Sequence, residues 1–483
     1  MSAAVSRLSY APALESADAV SLRRTYGLFI GGTWSASQDG ATFASENPAT
    51  EEPLAAVSVA APADVDRAVH AARRGYEKHW RKCRPAERAK YIYRFARILG
   101  ERAREFGVLE TLDCGKPIRE TRDFDVPQAV AQLFYHAGWA DKLEYVAGPH
   151  DRARSLGVVG AILPSSFPLL AMARKIAPAL ACGNTIVLKP AETTPLTALF
   201  LAQVCADAGL PAGVLNVVTG NRSTGAALAE HADVNMLTFS GSTEVGKALR
   251  RATAGSGKRL ALELGGKAAI LVFEDAPLDQ TIEGIVTAMY SNAGNASSAG
   301  SRLLVQESVA SEIVERLRQR LASVRHGDPL DKNTDVGALT SRRKREHVAA
   351  LVASGIEDGA ELVQAPWTPP ARGYWFPASF FTNVQPTYRI AREDIGGPVL
   401  SVMTFRTPAE AIERANNVPY GAAAGVWTSS GAQALYVAAR LRAGIVWCNS
   451  ASEFDPSSPT GGYRESGFGR EGGVFGLKSY LDL

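Results

Sequence analysis

The chain has 483 residues, 46% of them hydrophobic and 21% charged, too long for one ordinary core, so two lobes plus a small extra element are expected. Its 52 basic and 49 acidic residues leave a net charge of +3 spread along the chain; without the basic patch of a nucleic-acid binder, small molecules or other proteins are the expected partners. Cys83, Cys114, Cys182, Cys205 and Cys448 are scattered without CxxC pairs, which argues against a disulfide framework or structural zinc and for a reducing compartment.

Residues 1–26 read as a loosely ordered lead-in without the apolar core of a signal peptide. A short hairpin follows at 28–34, with Gly31-Gly32 at its turn. Between 61 and 105, helical apolar spacing broken near Arg84-Pro85 predicts two amphipathic helices. Apolar runs at 158–163, 185–189, 215–218 and 236–239 are predicted strands, and 172–181 and 197–208 predicted helices. Such alternation indicates parallel βαβ units, and a second α/β stretch runs from 268 to about 449. No apolar run approaches the roughly 20 residues that span a bilayer, so a soluble, cytoplasmic protein without membrane or nucleic-acid partners is the expectation. Cys448, after Trp447 in an apolar run, reads as a buried structural thiol.

Three segments carry chemistry-bearing residues, the first two at strand ends. Phe239-Ser240-Gly241-Ser242-Thr243-Glu244-Val245-Gly246 opens a helix, where amides and a hydroxyl suit a phosphate. Alone, a plain helix cap at Ser242 is the better reading, and the spacing is not GxGxxG. Lys189-Pro190-Ala191-Glu192 closes a strand where open α/β sheets bind ligands, although a solvated loop would look the same. Leu262-Glu263-Leu264-Gly265-Gly266-Lys267 offers a carboxylate for general-base work, or an exposed turn. The small-residue segment 292–302 suits an exposed side chain held against a ligand, or a plain loop.

Together and in this order, these segments resemble the aldehyde dehydrogenase superfamily over nearly the whole chain. The likeness extends through Glu393-Asp394-Ile395-Gly396-Gly397-Pro398-Val399, Asn416-Asn417-Val418-Pro419-Tyr420-Gly421 and Ser458-Pro459-Thr460-Gly461-Gly462-Tyr463-Arg464-Glu465-Ser466-Gly467. The resemblance implies an α/β fold with a Rossmann-type dinucleotide-binding domain (1–131 and 151–264), a catalytic-type α/β domain (265–457) and a reduced oligomerisation element (132–150 and 458–483). It implies aldehyde oxidation by a cysteine thiolate, with hydride passing to NAD(P)⁺. It further implies that Lys189 and Glu192 hold the adenosine ribose, Ser242 a phosphate and Asp394 the nicotinamide ribose, that Glu263 is the general base, and that Gly246 matches the family pattern. Glu192 favours NAD, with NADP left open. Of the family's aromatic substrate wall Phe167 and Phe454 remain, while Thr460 replaces a phenylalanine.

The departures from that pattern fall on the chemistry. The nucleophile position is Ser297, and an alcohol is a far weaker nucleophile than a tuned thiolate. The asparagine that donates to the developing oxyanion is Ser166, a loss typically worth on the order of 10²–10³ in rate. The usual Glu-Ile-Phe reads Asp394-Ile395-Gly396, and the nucleophile loop's glutamine is Asn295. One engineered substitution at Ser297 would leave these neighbours intact. The segment 143–156 is short for the family's bridging hairpin, and the chain stops before a final strand. Residues 122–127 and 135–140 resemble the branch that fuses an active and a degenerate module. The reading that follows is a catalytically inactive dinucleotide binder that supports or regulates a partner, such as an active paralogue, in a homo- or hetero-oligomer. Two alternatives stay open: an NAD-dependent enzyme using Ser297 and Glu263, and a structural subunit whose vestigial cleft binds no cofactor.

Overall fold

A hairpin, β1 (Leu28–Ile30) and β2 (Thr33–Ser35), turns through Gly31 and Gly32 at φ +61° and +84°, the left-handed pair that matches strand twist. In this computed structural model, which describes residues 11–148 and 152–483, β3 (Val158–Ile162) and β4 (Thr185–Lys189) are buried throughout, as in parallel strands covered on both faces. Successive side chains point to opposite faces. Thus Val159, Ala161, Ile186 and Leu188 enter one apolar cluster, and Val158, Ile162 and Val187 another.

With β5 (Leu215–Val217), β6 (Met236–Gly241) and β7 (Arg259–Leu264), the sheet order is β7–β6–β3–β4–β5–β1–β2, and Gly467–Phe468 lies antiparallel beside β7. The chain runs outward from β3 to β5, then returns to lay β6 on the other side of β3. That reversal is the switch point at which open α/β sheets place ligands. A second sheet holds β8 (Ala269–Val272), β9 (Arg302–Gln306), β10 (Glu361–Gln364), β11 (Ser379–Thr382), β12 (Val399–Phe405), β13 (Ala423–Trp427) and β14 (Ile445–Cys448). Its order is β10–β11–β12–β9–β8–β13–β14, over its own apolar cluster.

The two helices expected between 61 and 105 are α1 (Pro62–Lys78) and α2 (Pro85–Glu101), broken near Pro85 as expected, and α3 (Ala103–Cys114) follows them. After α4 (Val126–Ala137), α5 (Pro168–Ala181) begins four residues earlier than predicted, because proline is at home in a first helical turn. Then come α6 (Leu196–Asp207), α7 (Arg222–Glu230), α8 (Thr243–Ala252), α9 (Leu278–Tyr290) and α10 (Arg342–Glu357).

Three expectations are corrected. The lead-in from residue 11 onward is docked: Leu14 bridges Asp331, and Glu15 pairs with Arg104 at 2.7 Å; residues 1–10 lie outside the described residues. The chain's end does form a strand, Leu481–Asp482, antiparallel to Arg154–Ser155, while 149–151 of the segment between 143 and 156 also lie outside the description. Cys448 is exposed, because β14 is an edge strand with one uncovered side.

Candidate active site

The parallel register brings four strand ends level: Ile162 pairs with Lys189 and Phe239, and Ser240 with Glu263. At these carboxyl ends opens a cleft of about 760 Å³, lined on its far side by Ser297, Asp394 and Ile445. Lys189 is only 7% exposed, and its ammonium finds no hydrogen-bond acceptor among the described residues. Burial pulls its pKa from 10.5 to about 8 against the opposing charge of Glu192, which stands exposed at the cleft edge. A buried cation facing a cleft without an acceptor suits a ligand that brings hydroxyls or negative charge.

Ser242 caps α8, its hydroxyl accepting from the Val245 amide at 3.3 Å, so the plain capping reading describes its local role while the residue also lines the cleft. Gly246 does not reach the cleft. It lets the helix press on β7, where an added Cβ would sit 2.4 Å from Leu264 Cδ2.

Burial, together with the charge of Glu471, raises the Glu263 carboxyl to about 7, and the Ser240 hydroxyl donates to it at 3.5 Å. For Glu471 burial also works upward, but Lys175 and Arg174 outweigh it and hold that carboxyl below its ordinary value. Lys175, fully buried in α5, donates to Glu471 and, at 3.1 Å, to Thr238. Sequence reasoning missed this pair, 296 residues apart; the one available signal was a lysine in the apolar helix 168–181.

The loop carrying Ser297 is wound left-handed: Asn292 and Ala293 have φ of +51° and +49°, and Gly294 +68°. Non-glycine residues rarely adopt this conformation, and it is held here by contacts. The Asn292 amide group donates to the Ser166 carbonyl at 2.6 Å and the Asn295 carbonyl at 3.1 Å. Ser297 is exposed to the cleft, and its hydroxyl makes no hydrogen bond to Glu263 or any other described group. The Nδ2 of Asn295 is buried without an acceptor.

Gly265 and Gly266 are explained by approach: added Cβ atoms would lie 2.5 Å from Asp394 Oδ2 and 2.1 Å from the Ser297 carbonyl oxygen. Asp394 accepts from the Gly266 amide at 3.3 Å; burial raises its carboxyl against the pull of Lys344 and Lys267. At Gly396 a Cβ would meet the Lys344 amine at 2.2 Å, so a lysine from the first turn of α10 fills the space opposite that glycine. Nothing local in the sequence paired Lys344 with Asp394. Phe124, Phe454 and Trp447 form an aromatic ladder at 6.0 and 5.6 Å, of which Phe124 and Phe454, with Phe167, line the cleft. No cysteine lines it, and among the described residues no cluster of His, Cys, Asp or Glu is arranged for a metal.

Comparison with known proteins finds a single family. Residues 34–483 match the model described as "Aldehyde dehydrogenase family". The chain is 41% identical over 466 residues to the Arabidopsis thaliana protein "Aldehyde dehydrogenase family 2 member B4, mitochondrial", covering 94% of this chain and 87% of the relative. It is 38% identical over 467 residues to human "Retinal dehydrogenase 2", covering 94% and 90%. A Bacillus cereus aldehyde dehydrogenase solved as its NAD⁺ complex superposes with a TM-score of 0.92 at 39% identity, over 95% of each chain.

Proposed function

The chain belongs to the aldehyde dehydrogenase family, and on that premise we propose that it binds a nicotinamide dinucleotide without oxidising aldehydes and serves as a stabilising or regulatory partner of an active paralogue. The observation that carries the inactivity is the unpartnered Ser297 hydroxyl. In the reacting complex an activated hydroxyl has its base about 2.6–3.2 Å away, whereas Glu263 here accepts from Ser240 and makes no hydrogen bond to Ser297. Ser166 adds to the deficit, because its side chain has no amide with which to meet a developing oxyanion.

The dinucleotide reading is supported by the fit of the remaining residues. Lys189 is a buried cation in want of an acceptor, and Glu192 beside it has a carboxylate for ribose hydroxyls. The first turn of α8 after Ser242 supplies amides and a positive dipole end for a phosphate, with Gly246 seating the helix. Asp394 would take the second ribose. When bound, the dinucleotide supplies a hydride acceptor. The Glu192 carboxylate disfavours an added ribose phosphate, so NAD is the expected form.

A second reading, catalysis by Ser297 with Glu263, draws on Glu263 being tuned to about 7, where a general base works well at neutral pH. Calorimetric titration with NAD⁺, run beside an aldehyde assay, separates the readings. Binding without NADH production is the expected outcome. Production abolished by Ser297→Ala would install the enzymatic reading, and absence of binding would leave a purely structural subunit.

A further inference from the structure

Beneath the cleft lies a cluster of four ionisable side chains that the proposed function does not use: Glu110 of α3, Lys116, Glu120 and Asp125. Glu110, Lys116 and Asp125 are buried, Lys116 and Asp125 with wholly inaccessible side chains, and Glu120 is half-buried. They occur where the chain passes from α3 through a π-helical turn, Thr121–Asp125, into α4. Pro127 in the first turn of α4 lacks the amide a tighter helix would use and crowds the carbonyl before it, which accounts for the widened turn, a form often found at functional sites.

Each arm of the cluster ends on backbone of the site above. Glu120 Oε2 accepts from the Asn292 amide at 2.8 Å, the first of the left-handed residues that lead to Ser297. Glu110 Oε2 accepts from the Leu169 amide at 3.0 Å, in the first turn after Ser166. Lys116 donates to Asp125 Oδ2 at 2.6 Å and sits 3.8 Å above the ring of Phe167. Glu110 Oε1 and Asp125 Oδ1 are buried without a partner as bare oxygens, and a proton on Glu110 joins them: Glu110 donates to Asp125, which accepts from Lys116. Burial favours that protonated Glu110. Asn292 closes the circuit by donating to the Ser166 carbonyl at 2.6 Å.

We infer that Glu110, Lys116, Glu120 and Asp125 form a clamp that fixes the Ser297 loop and the Ser166 turn relative to each other, with Glu120 the positioning residue for Asn292. The geometry has no other apparent use. A local motif would bind one loop, whereas this cluster reaches both, and a left-handed pair at Asn292 and Ala293 relaxes without an acceptor for its leading amide. The inference is independent of whether a dinucleotide binds.

Amide hydrogen exchange in the full-length protein tests it. In Glu120→Ala, exchange of segment 291–297 rises by about tenfold or more, as befits loss of a part-buried bond to an ionisable acceptor. Segment 164–170 follows, because Asn292 no longer holds Ser166, while β13 in the far sheet does not change. Glu120→Gln, which keeps an acceptor for the Asn292 amide, restores both loops. Unaltered exchange in a folded Glu120→Ala, a rise spread equally over β13, or a failure of Glu120→Gln to rescue each overturns the clamp. Should Glu120→Ala not fold, the wild type decides. Slow exchange at the Asn292 and Leu169 amides upholds the inference, and exchange at loop rates refutes it.

Discussion

Replacing Lys189 by methionine should make the empty protein more stable and its ligand response weaker. The Lys189 amine falls from 10.5 to about 8 on folding because it is buried. A drop of about 2.5, at about 1.4 kcal/mol for each pKa unit, means the fold carries a penalty of about 3.5 kcal/mol for this charge. The sign follows from proton counting: between pH 8 and 10.5 the folded chain binds fewer protons than the unfolded one, so stability rises with pH across that window. Below pH 8 the penalty is complete. Methionine keeps the apolar stem and removes the charge, so Lys189→Met gains up to about 3.5 kcal/mol at pH 7. For a chain of this size that is a rise of about 3 °C in Tm, more if the first sheet melts as a smaller unit. The gain should fade as pH climbs from 8 to 10.5. Scanning fluorimetry with and without NAD⁺ reads both effects, since a ligand specific to the folded state must raise Tm. A variant that melts lower than wild type at pH 7 and keeps the full NAD⁺ shift would refute the account of Lys189 as a cation waiting for a ligand.

Two further outcomes bear on the chemical end of the cleft. Ser297→Cys combined with Ser166→Asn should give NADH production from simple aldehydes, rising as pH passes about 7 because Glu263 must be ionised to act as base. Adding Glu263→Gln should flatten that profile; a pH-independent rate would remove Glu263 from the role. Gly266→Ala places a Cβ 2.1 Å from the Ser297 carbonyl. A backbone oxygen has no rotamer with which to yield, so the loop must move, at a cost of about 1–3 kcal/mol. Chemical denaturation measures the loss, and the rescued double variant should become inactive in this background.

How much of this was legible in the sequence depended on whether the information was local. The strands at 158–163 and 185–189 could be read because parallel, doubly covered strands are apolar at every position. Lys189 and Ser242 could be placed because each closes or follows an apolar strand, whereas Glu263 was read only from the Gly-Gly turn beside it. The helix predicted from 172 starts at Pro168 because proline can open a helix as readily as it ends one. Lys175 with Glu471, Lys344 with Gly396 and Glu120 with Asn292 were invisible for a common reason: each is a meeting of elements 52 to 296 residues apart, and no periodicity records it. Cys448 was misjudged because an apolar strand looks the same at the edge of a sheet as in its middle.

The two ends of the cleft differ in what folding must sustain. At the chemical end, Ser297 and Ser166 ask nothing of the fold. Each is small, faces the cleft and leaves the backbone free to stay as it is. Around them the fold carries features with a cost: a Lys189 only 7% exposed, two consecutive left-handed non-glycine residues, and carboxyls at Glu120 and Glu263 raised to about 7. Such strain runs to about 1–3 kcal/mol per backbone outlier, with buried charge in addition, against a total stability of about 5–15 kcal/mol for an ordinary domain. A cleft kept only as a relic would gain by substitutions that release it, and Lys189→Met is among the simplest. Under the proposed function, the cost of burying Lys189 is offset when a dinucleotide binds, which is why the residue would be retained.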